Sequence, residues 1–200
     1  FTVCITGTPP ACPGLSGPAD AAIASTDPTA LTWGTVAAAT SYDVYFGTTP
    51  VPPFAINQSG TSYSATPLTA GTTYYWQVNG RNVVGTSTGC AIRNFTPQPP
   101  SCITAPMEPA NATSVCIGAI ILSWPPDISA SSYDVYFDPG TSATTLASAA
   151  QTGASLAVGT LPPGIYAWRV VPKNVFGDAI GCSTFTFTVA SDPLGNTFTS

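Results

Sequence analysis

The chain has 200 residues and a formal net charge of −5, and only 6% of its residues are charged, against roughly 25% in an ordinary soluble protein. Hydrophobic residues make up 44%, which excludes a charged disordered tail. Only four Lys and Arg are present, which argues against binding to nucleic acid or anionic lipid, because both depend on neutralising negative charge. Histidine, the commonest general base and zinc ligand, is absent. We therefore expect no catalytic residue, metal or cofactor.

An internal repeat organises the chain. The pentapeptide Tyr-Asp-Val-Tyr-Phe at 42–46 returns at 133–137, an offset of 91 residues. Trp33 returns as Trp124 at the same offset, and Trp76 returns as Trp168 at an offset of 92. Self-similarity of this kind predicts two homologous domains.

The repeat also predicts where the domains begin and end. Phe1-Thr2-Val3 repeats Phe187-Thr188-Val189, the run that closes the second domain, so the first residues resemble the tail of a preceding repeat. An irregular terminus is the alternative. The predicted parts are a tail or linker at 1–11, domain one at 12–97, a Pro-rich linker at 98–101, domain two at 102–191 and a C-terminal tail at 192–200.

Alternation of apolar and polar residues predicts β-strands throughout. In domain one the alternating apolar sets are, in chain order, Leu31 and Trp33; Tyr42, Val44 and Phe46; and Tyr74, Trp76 and Val78. Alanines at 37–39 and 147–150 lie among Thr and Gly, and we expect loops there rather than helices. Pro172 falls within a predicted strand, which we expect to end or bulge at that residue. No run of apolar residues reaches the length of about 18 that a membrane span needs.

Each repeat resembles a fibronectin type III domain. The matching features are Trp33 and Trp124, the Tyr-x-Val-x-Phe runs, Leu68–Tyr74 with Asn82-x-x-Gly85, and Leu161–Tyr166 with Asn174-x-x-Gly177. The resemblance implies an all-β fold of two tandem immunoglobulin-like, seven-stranded sandwiches, in which strands A, B and E face strands C, C′, F and G. It also implies that the hydroxyls of Tyr74 and Tyr166 bond to the backbone at a corner. In style the repeats resemble those of bacterial secreted and cell-surface proteins, including adhesins.

The same resemblance implies two disulfides. In such a sandwich the first strand starts at the end where the last strand starts, which would bring Cys12 to Cys90 and Cys102 to Cys182. Buried free thiols are the alternative. Disulfides would place the protein in an oxidising compartment, and we expect it to be extracellular.

Two further cysteines, Cys4 and Cys116, have no counterpart in the other repeat. One hypothesis is that Cys4 pairs head to tail across a repeat or subunit junction, with a residue equivalent to Cys116. The alternatives are a local Cys4–Cys12 bond or a free Cys116 thiol.

The acidic residues are scattered, and we expect Asp43 and Asp134 at solvent-facing strand positions. Asp134 and Arg169 should face the same side of neighbouring strands and form a modest ion pair. Asp127 and Asp178, in loops of domain two, are weak candidates for a calcium site.

Tyr45 and Tyr75 should project from the outer face of one sheet. They are candidates for contact with a glycan or another surface protein, and a cross-strand pair that only stabilises the sheet is the alternative. Asn57, Asn94 and Asn111 begin N-glycosylation sequons, which matter only in a source that glycosylates asparagine.

These features predict a non-catalytic structural or adhesive segment of an extracellular surface protein or filament. Its expected partners are neighbouring repeats or like subunits, head to tail, together with glycans or other surface proteins. A binding module or spacer of a secreted hydrolase is the alternative.

Overall fold

A computed structural model of the chain describes residues 7–27 and 29–191. The chain divides after Gln98 into two compact units, residues 1–98 and 99–200. The described residues contain strands and turns and no helix, so none of them forms a helix able to span a membrane.

The described part of unit one contains eight strands. They are β1 (Leu15–Gly17), β2 (Ala22–Ala24), β3 (Thr29–Trp33), β4 (Ser41–Gly47), β5 (Phe54–Gln58), β6 (Ser62–Ala65), β7 (Tyr74–Arg81) and β8 (Ile92–Pro97).

The strands of unit one form two sheets that enclose one core. One sheet has the order β1-β3-β6 and the other has the order β2-β8-β7-β4-β5. This is the predicted arrangement of A, B and E against C′, C, F and G. The eighth strand is β2, which follows β1 closely in the chain but pairs with β8, in parallel.

Eight strands also occur in unit two within residues 99–191. They are β9 (Thr113–Val115), β10 (Ala119–Ser123), β11 (Ser132–Pro139), β12 (Leu146–Gln151), β13 (Ser155–Thr160), β14 (Gly164–Asn174), β15 (Gly177–Asp178) and β16 (Phe185–Val189).

The topology of unit two repeats that of unit one. Strands β10 and β13 form one sheet, and the other has the order β12-β11-β14-β16-β9, with β15 added beside β14. The position of β1 is taken by a single bridge between Glu108 and Ser123. Strand β9 pairs with β16 in parallel, as β2 pairs with β8. The chain is therefore two tandem sandwiches of the fibronectin type III kind.

Aromatic side chains dominate both cores. Trp33 meets Tyr42 edge to face with ring centroids 5.8 Å apart, and the equivalent Trp124 meets Tyr133 in the same way at 5.6 Å. Three stacked rings close the other end of each core: Phe46, Tyr74 and Phe95 in unit one, and Phe137, Tyr166 and Phe187 in unit two. Ring pairs in these geometries add to the free energy gained by burial alone.

Both predicted corner tyrosines bond to the backbone. The hydroxyl of Tyr74 accepts a hydrogen bond from the Thr69 amide at 3.0 Å, and the hydroxyl of Tyr166 donates one to the Pro162 carbonyl at 2.9 Å. Gly71 lies inside the first corner with a φ of +75°, a backbone conformation that favours glycine. The corner residues of the resemblance are therefore confirmed.

Two expectations about secondary structure are wrong. Residues 147–150 do not form a loop, because they lie within the edge strand β12. Pro172 does not end its strand, since β14 continues to Asn174 with Pro172 opposite Tyr133.

The surroundings of Pro172 explain why the strand tolerates it. The Pro172 carbonyl accepts a hydrogen bond from the Ala179 amide, so both the carbonyl and the nitrogen of Pro172 point away from β11. Strand β16 pairs with β14 only from Gly164 to Trp168. The missing N–H of the proline therefore costs no hydrogen bond with either strand.

Truncating an equivalent core residue should lower the stability of each unit by a similar amount. Leu31 and its equivalent Leu122 are fully buried, so we expect Leu31→Ala and Leu122→Ala each to lower the free energy of unfolding by about 2–5 kcal/mol. Ile121 neighbours Leu122 but is 55% exposed, so Ile121→Ala should change it by no more than about 0.5 kcal/mol. Guanidinium denaturation followed by tryptophan fluorescence measures these values. Equal losses for Ile121→Ala and Leu122→Ala would contradict the assignment of the core face.

Candidate functional site

In each unit a disulfide joins the entering segment to the residues just before the last strand. Cys12 is bonded to Cys90 with a Cα–Cα distance of 5.3 Å, and Cys102 is bonded to Cys182 with a distance of 5.1 Å. Both predicted pairings are confirmed. The bonds close loops of 78 and 80 residues, and on chain-entropy grounds each stabilises its unit by up to about 4–5 kcal/mol.

The Pro-Pro segment before the first cysteine packs against unit one. A Cβ on Gly80 would lie 3.1 Å from both the Ala11 carbonyl oxygen and Pro10 Cβ, and a Cβ on Gly85 would lie 3.3 Å from Pro9 Cγ. In unit two, a Cβ on Gly177 would lie 3.7 Å from Pro99. Glycines at the end of the long strand and in the turn after it therefore make room for the entering chain.

The Asn-x-x-Gly motif shapes the turn beneath this segment. In unit one the side-chain carbonyl of Asn82 accepts hydrogen bonds from the amides of Val84 and Gly85, while its Nδ2 donates to the Thr8 carbonyl. In unit two Asn174 accepts from the Phe176 amide and donates to the Ser129 carbonyl. The asparagine thus holds its own turn and a neighbouring segment together.

Cys116 carries an exposed free thiol just after β9. The adjacent Val115 carbonyl accepts a hydrogen bond from the amide of Ala190, the residue that follows the Phe-Thr-Val run in unit two. Cys4 follows the same tripeptide at the start of the chain, but it lies outside the described residues. Its pairing stays a prediction.

The prediction that Asp43 is exposed to solvent is wrong. It points outward from the sheet but is only 4% exposed, because neighbouring side chains cover it. Its carboxylate accepts hydrogen bonds from Asn57 Nδ2 at 2.7 Å and Thr86 Oγ1 at 3.3 Å, and Arg81 lies 3.4 Å away. These three partners compensate the negative charge of the carboxylate, which would otherwise be costly to bury.

Asp134, the equivalent of Asp43, is also buried, and its partner is not the predicted one. Lys173 Nζ lies 2.9 Å from its carboxylate, and the Ala150 amide donates a hydrogen bond at 2.7 Å. Arg169, the predicted partner, instead places its guanidinium 4.5 Å from the centre of the Tyr136 ring, a cation–π contact. Tyr136 lies directly opposite Arg169 on the neighbouring strand.

The ion pair shifts the pKa of both partners. Burial raises the pKa of Asp134, but the hydrogen bonds from Ala150 and Lys173 and the charge of Lys173 outweigh it, so the pKa lies below its usual value. The hydrogen bond to Asp134 raises the pKa of Lys173 above 10.5 despite a smaller opposing effect of burial. The pair therefore stabilises the unit across neutral pH and is lost only at the acidic and alkaline extremes.

The weak candidates for a calcium site, Asp127 and Asp178, make other contacts. The Asp127 carboxylate accepts hydrogen bonds from the backbone and side chain of Ser129, and Asp178 lies 3.4 Å from Lys173. Within residues 7–27 and 29–191, no group of three His, Cys, Asp or Glu is placed to hold a metal ion.

Tyr45 and Tyr75 both lie partly exposed on the outer face of unit one. They are diagonal neighbours, because Tyr45 lies opposite Gln77 and Tyr75 lies opposite Gly47. The ring of Tyr45 contacts Phe54, a residue that the sequence analysis missed, at 5.8 Å and an interplanar angle of 79°. Contact of Tyr45 and Tyr75 with a glycan or another protein stays a prediction.

The three sequon asparagines differ in their contacts. Nδ2, the atom that would carry a sugar, donates to Asp43 in Asn57 and to Asp20 in Asn94. Asn111 is exposed and uses Oδ1 to accept from the Thr186 amide at 2.9 Å. Of the three, Asn111 would be modified with the least disturbance, and glycosylation itself stays a prediction.

Comparisons with known proteins give similarity to solved structures. No protein-family model and no curated protein matches the chain. Among solved structures, the chain is similar to the crystal structure of the FN1–FN3 domains of chicken contactin-1, with 16% identity, a TM-score of 0.39, and coverage of 92% of this chain and 69% of that one. The assignment of the fold rests on the strand order and core packing described above.

The contacts of Asp138 predict an unusually acidic carboxyl. Hydrogen bonds from Thr145 and then Thr144 lower its pKa from 3.8 to about 2. Because the pKa is lowered on folding, the stabilisation is fully present above pH 3.8 and is lost as the pH falls through about 2. A carboxyl-carbon NMR titration of the full chain measures it, with urea-unfolded chain as the reference. A midpoint near 3.8 in the folded protein would contradict these contacts.

Proposed function

We propose that the chain is a non-catalytic spacer that carries tension in an extracellular surface protein or filament. The observation that carries the proposal is the position of the two disulfides. Each joins a residue on the segment that enters its unit before the first strand to a residue that closely precedes the last strand. In both units the loop that the bond closes therefore contains most of the residues of the sandwich.

This position shortens the covalent path along which tension passes. A pull that enters at Cys12 crosses the disulfide to Cys90 and then runs along β8 to Cys102, a stretch of 102 − 90 = 12 residues. It crosses next to Cys182 and leaves along β16. The 78 and 80 residues within the two loops lie outside this path, so a spacer built in this way resists lengthening even when a sandwich loosens.

Without the disulfides, the load would fall on very short strand pairs. Strand β2 pairs in parallel with β8 through three residue pairs, from Ala22–Phe95 to Ala24–Pro97, and β9 pairs with β16 through three. Each hydrogen bond contributes only about 1 kcal/mol. The cross-links therefore supply the mechanical strength that the terminal strands lack.

Two further features support an extracellular setting for this role. Disulfides persist in oxidising compartments and are rare in the cytosol, and both units carry one at the same place. The low charge, 6% of residues, offers few groups for electrostatic binding or acid–base chemistry. The contact of such a spacer with neighbouring repeats or subunits belongs to the same proposal.

Single-molecule force spectroscopy of the full chain, with handles at both termini, tests the proposal. In the oxidised protein, neither unit should release its loop, and the separation of 12 residues from Cys90 to Cys102 limits extension there to about 40 Å. After reduction, each unit should unfold in a step of roughly 250–280 Å, the extended length of 78 or 80 residues.

Two double variants assign each unfolding step to one disulfide. Cys12→Ser with Cys90→Ser should restore one long step while unit two stays locked, and Cys102→Ser with Cys182→Ser should do the reverse. If a variant fails to fold, reduction of the natural chain still gives the comparison. Long steps in the oxidised protein would overturn the proposal.

A further inference from the structure

Strand β12 stays on unit two with little help from the core. It ends the sheet of order β12-β11-β14-β16-β9, and each of its residues is exposed or half-buried. The core of unit two is built from residues of other segments. Backbone pairing with β11 is limited too, because the register holds at three residue pairs and shifts twice between them. The strand therefore depends on further contacts.

Two carboxylates of β11 supply such contacts at both ends of β12. Just before the strand begins, Asp138 accepts hydrogen bonds from the amides of Thr144 and Thr145, the second at 2.8 Å, and from the Thr144 hydroxyl. Near its end, Asp134 accepts one from the Ala150 amide at 2.7 Å. Hydrogen bonds to an ionised carboxylate are roughly twice as strong as those between neutral groups.

The bond from Ala150 compensates a bulge in the strand. Tyr133 lies opposite Gln151 and Val135 lies opposite Ser148, so two residues of β12 face the single residue Asp134. A bulge of this kind leaves a backbone amide without a partner on the neighbouring strand. Ala150 also has a φ of +48°, which is uncommon for a residue other than glycine. Its amide is satisfied by the carboxylate instead.

The charged groups that face the two aspartates lie on β14 and β15. Lys173 Nζ lies 2.9 Å from the Asp134 carboxylate and 3.4 Å from that of Asp178. Arg169 is opposite Tyr136, the residue midway between the two aspartates, and its guanidinium lies 4.5 Å from the centre of that ring. Both cations keep their charge in acid, whereas the carboxylates lose theirs.

Acid therefore weakens the attachment of β12 selectively. No charged residue occurs in 139–168, which include the whole strand, so β12 brings no group that could replace a lost carboxylate charge. The pKa of both aspartates is lowered in the folded protein, that of Asp138 to about 2 through its bonds with Thr145 and Thr144. For Asp138 the stabilisation is thus fully present above pH 3.8 and is lost as the pH falls through about 2.

Unit one lacks this arrangement and provides an internal comparison. The position of Asp138 is occupied by Gly47. Asp43, the equivalent of Asp134, accepts its hydrogen bond from the side chain of Asn57 and not from its backbone. Strand β5 keeps four residue pairs with β4, and its register shifts once. Its attachment rests on strand pairing to a greater extent than that of β12.

We propose that Asp134 and Asp138 form an acid-sensitive latch that holds the edge strand β12 on unit two. At neutral pH the latch is closed. In acid β12 separates and uncovers the backbone groups of β11, while the core and the Cys102–Cys182 disulfide stay intact. This device goes beyond the proposed spacer, whose strength comes from the disulfides, and it makes the outer edge of unit two respond to acid.

Hydrogen exchange of the full chain, measured by NMR from about pH 5 to about pH 2, tests the proposal. The latch bonds directly to the amides of Thr144, Thr145 and Ala150. The amides of residues 146–149 therefore report separation of the strand itself. Their protection factors, which correct for the intrinsic effect of pH, should fall at least about threefold over this range. Those of β5 and of the core strand β10 should not.

The variant Asp138→Asn separates the latch from other effects of acid. It keeps an acceptor oxygen but removes the charge, so residues 146–149 should exchange at least about threefold faster already at neutral pH. Asp178→Asn is the matched control, because it removes the same charge from a carboxylate on β15 that contacts Lys173. It should leave the exchange of β12 unchanged.

Three results would overturn the proposal. The first is unchanged protection of residues 146–149 down to about pH 2. The second is an equal loss of protection in β12 and β10 at the same pH, which would indicate unfolding of the whole unit. The third is an equal effect of the two asparagine variants on the exchange of β12.

Discussion

The disulfide between the start of each sandwich and the approach to its last strand is the constraint on which the rest of the molecule depends. Cys12–Cys90 and Cys102–Cys182 fix the entering chain against the strand that leaves, at the same place in both units. The strands that would otherwise join these segments, β2 with β8 and β9 with β16, pair through only three residues each. The cross-link therefore does what a longer terminal strand pair would do in a sandwich without cysteines.

With the ends fixed, a compact aromatic core holds each unit together, and very few charged residues are needed. Each core has an edge-to-face pair of tryptophan and tyrosine and a stack of three rings. Two of the four basic residues, Arg81 and Lys173, lie beside the outer-face aspartates Asp43 and Asp134. Because so few residues are charged, long stretches of both units carry no charge.

The sequence predicted the fold because the repeat supplied each motif twice. Strand alternation, the corner tyrosines and the cysteine positions agree between the two copies. The predicted partner of Asp134 was wrong, since Arg169 and Lys173 both lie two residues from Val171, the residue opposite Asp134. The repeat could have decided between them: Lys173 corresponds to Arg81, whereas Arg169 corresponds to Gln77. The edge strand at 147–150 was missed because alanine has little preference for strands, and the contact between Phe54 and Tyr45 depends on a register shift that no residue pattern reveals.

The most direct test of this account is disulfide mapping of the natural, unreduced protein. Free thiols are alkylated first, the chain is digested, and linked peptides are identified by mass spectrometry. We expect peptides that join Cys12 to Cys90 and Cys102 to Cys182, with no bond between the two pairs. A Cys4–Cys12 bond, a bond between Cys12 and Cys102, or alkylation of all four residues would contradict it.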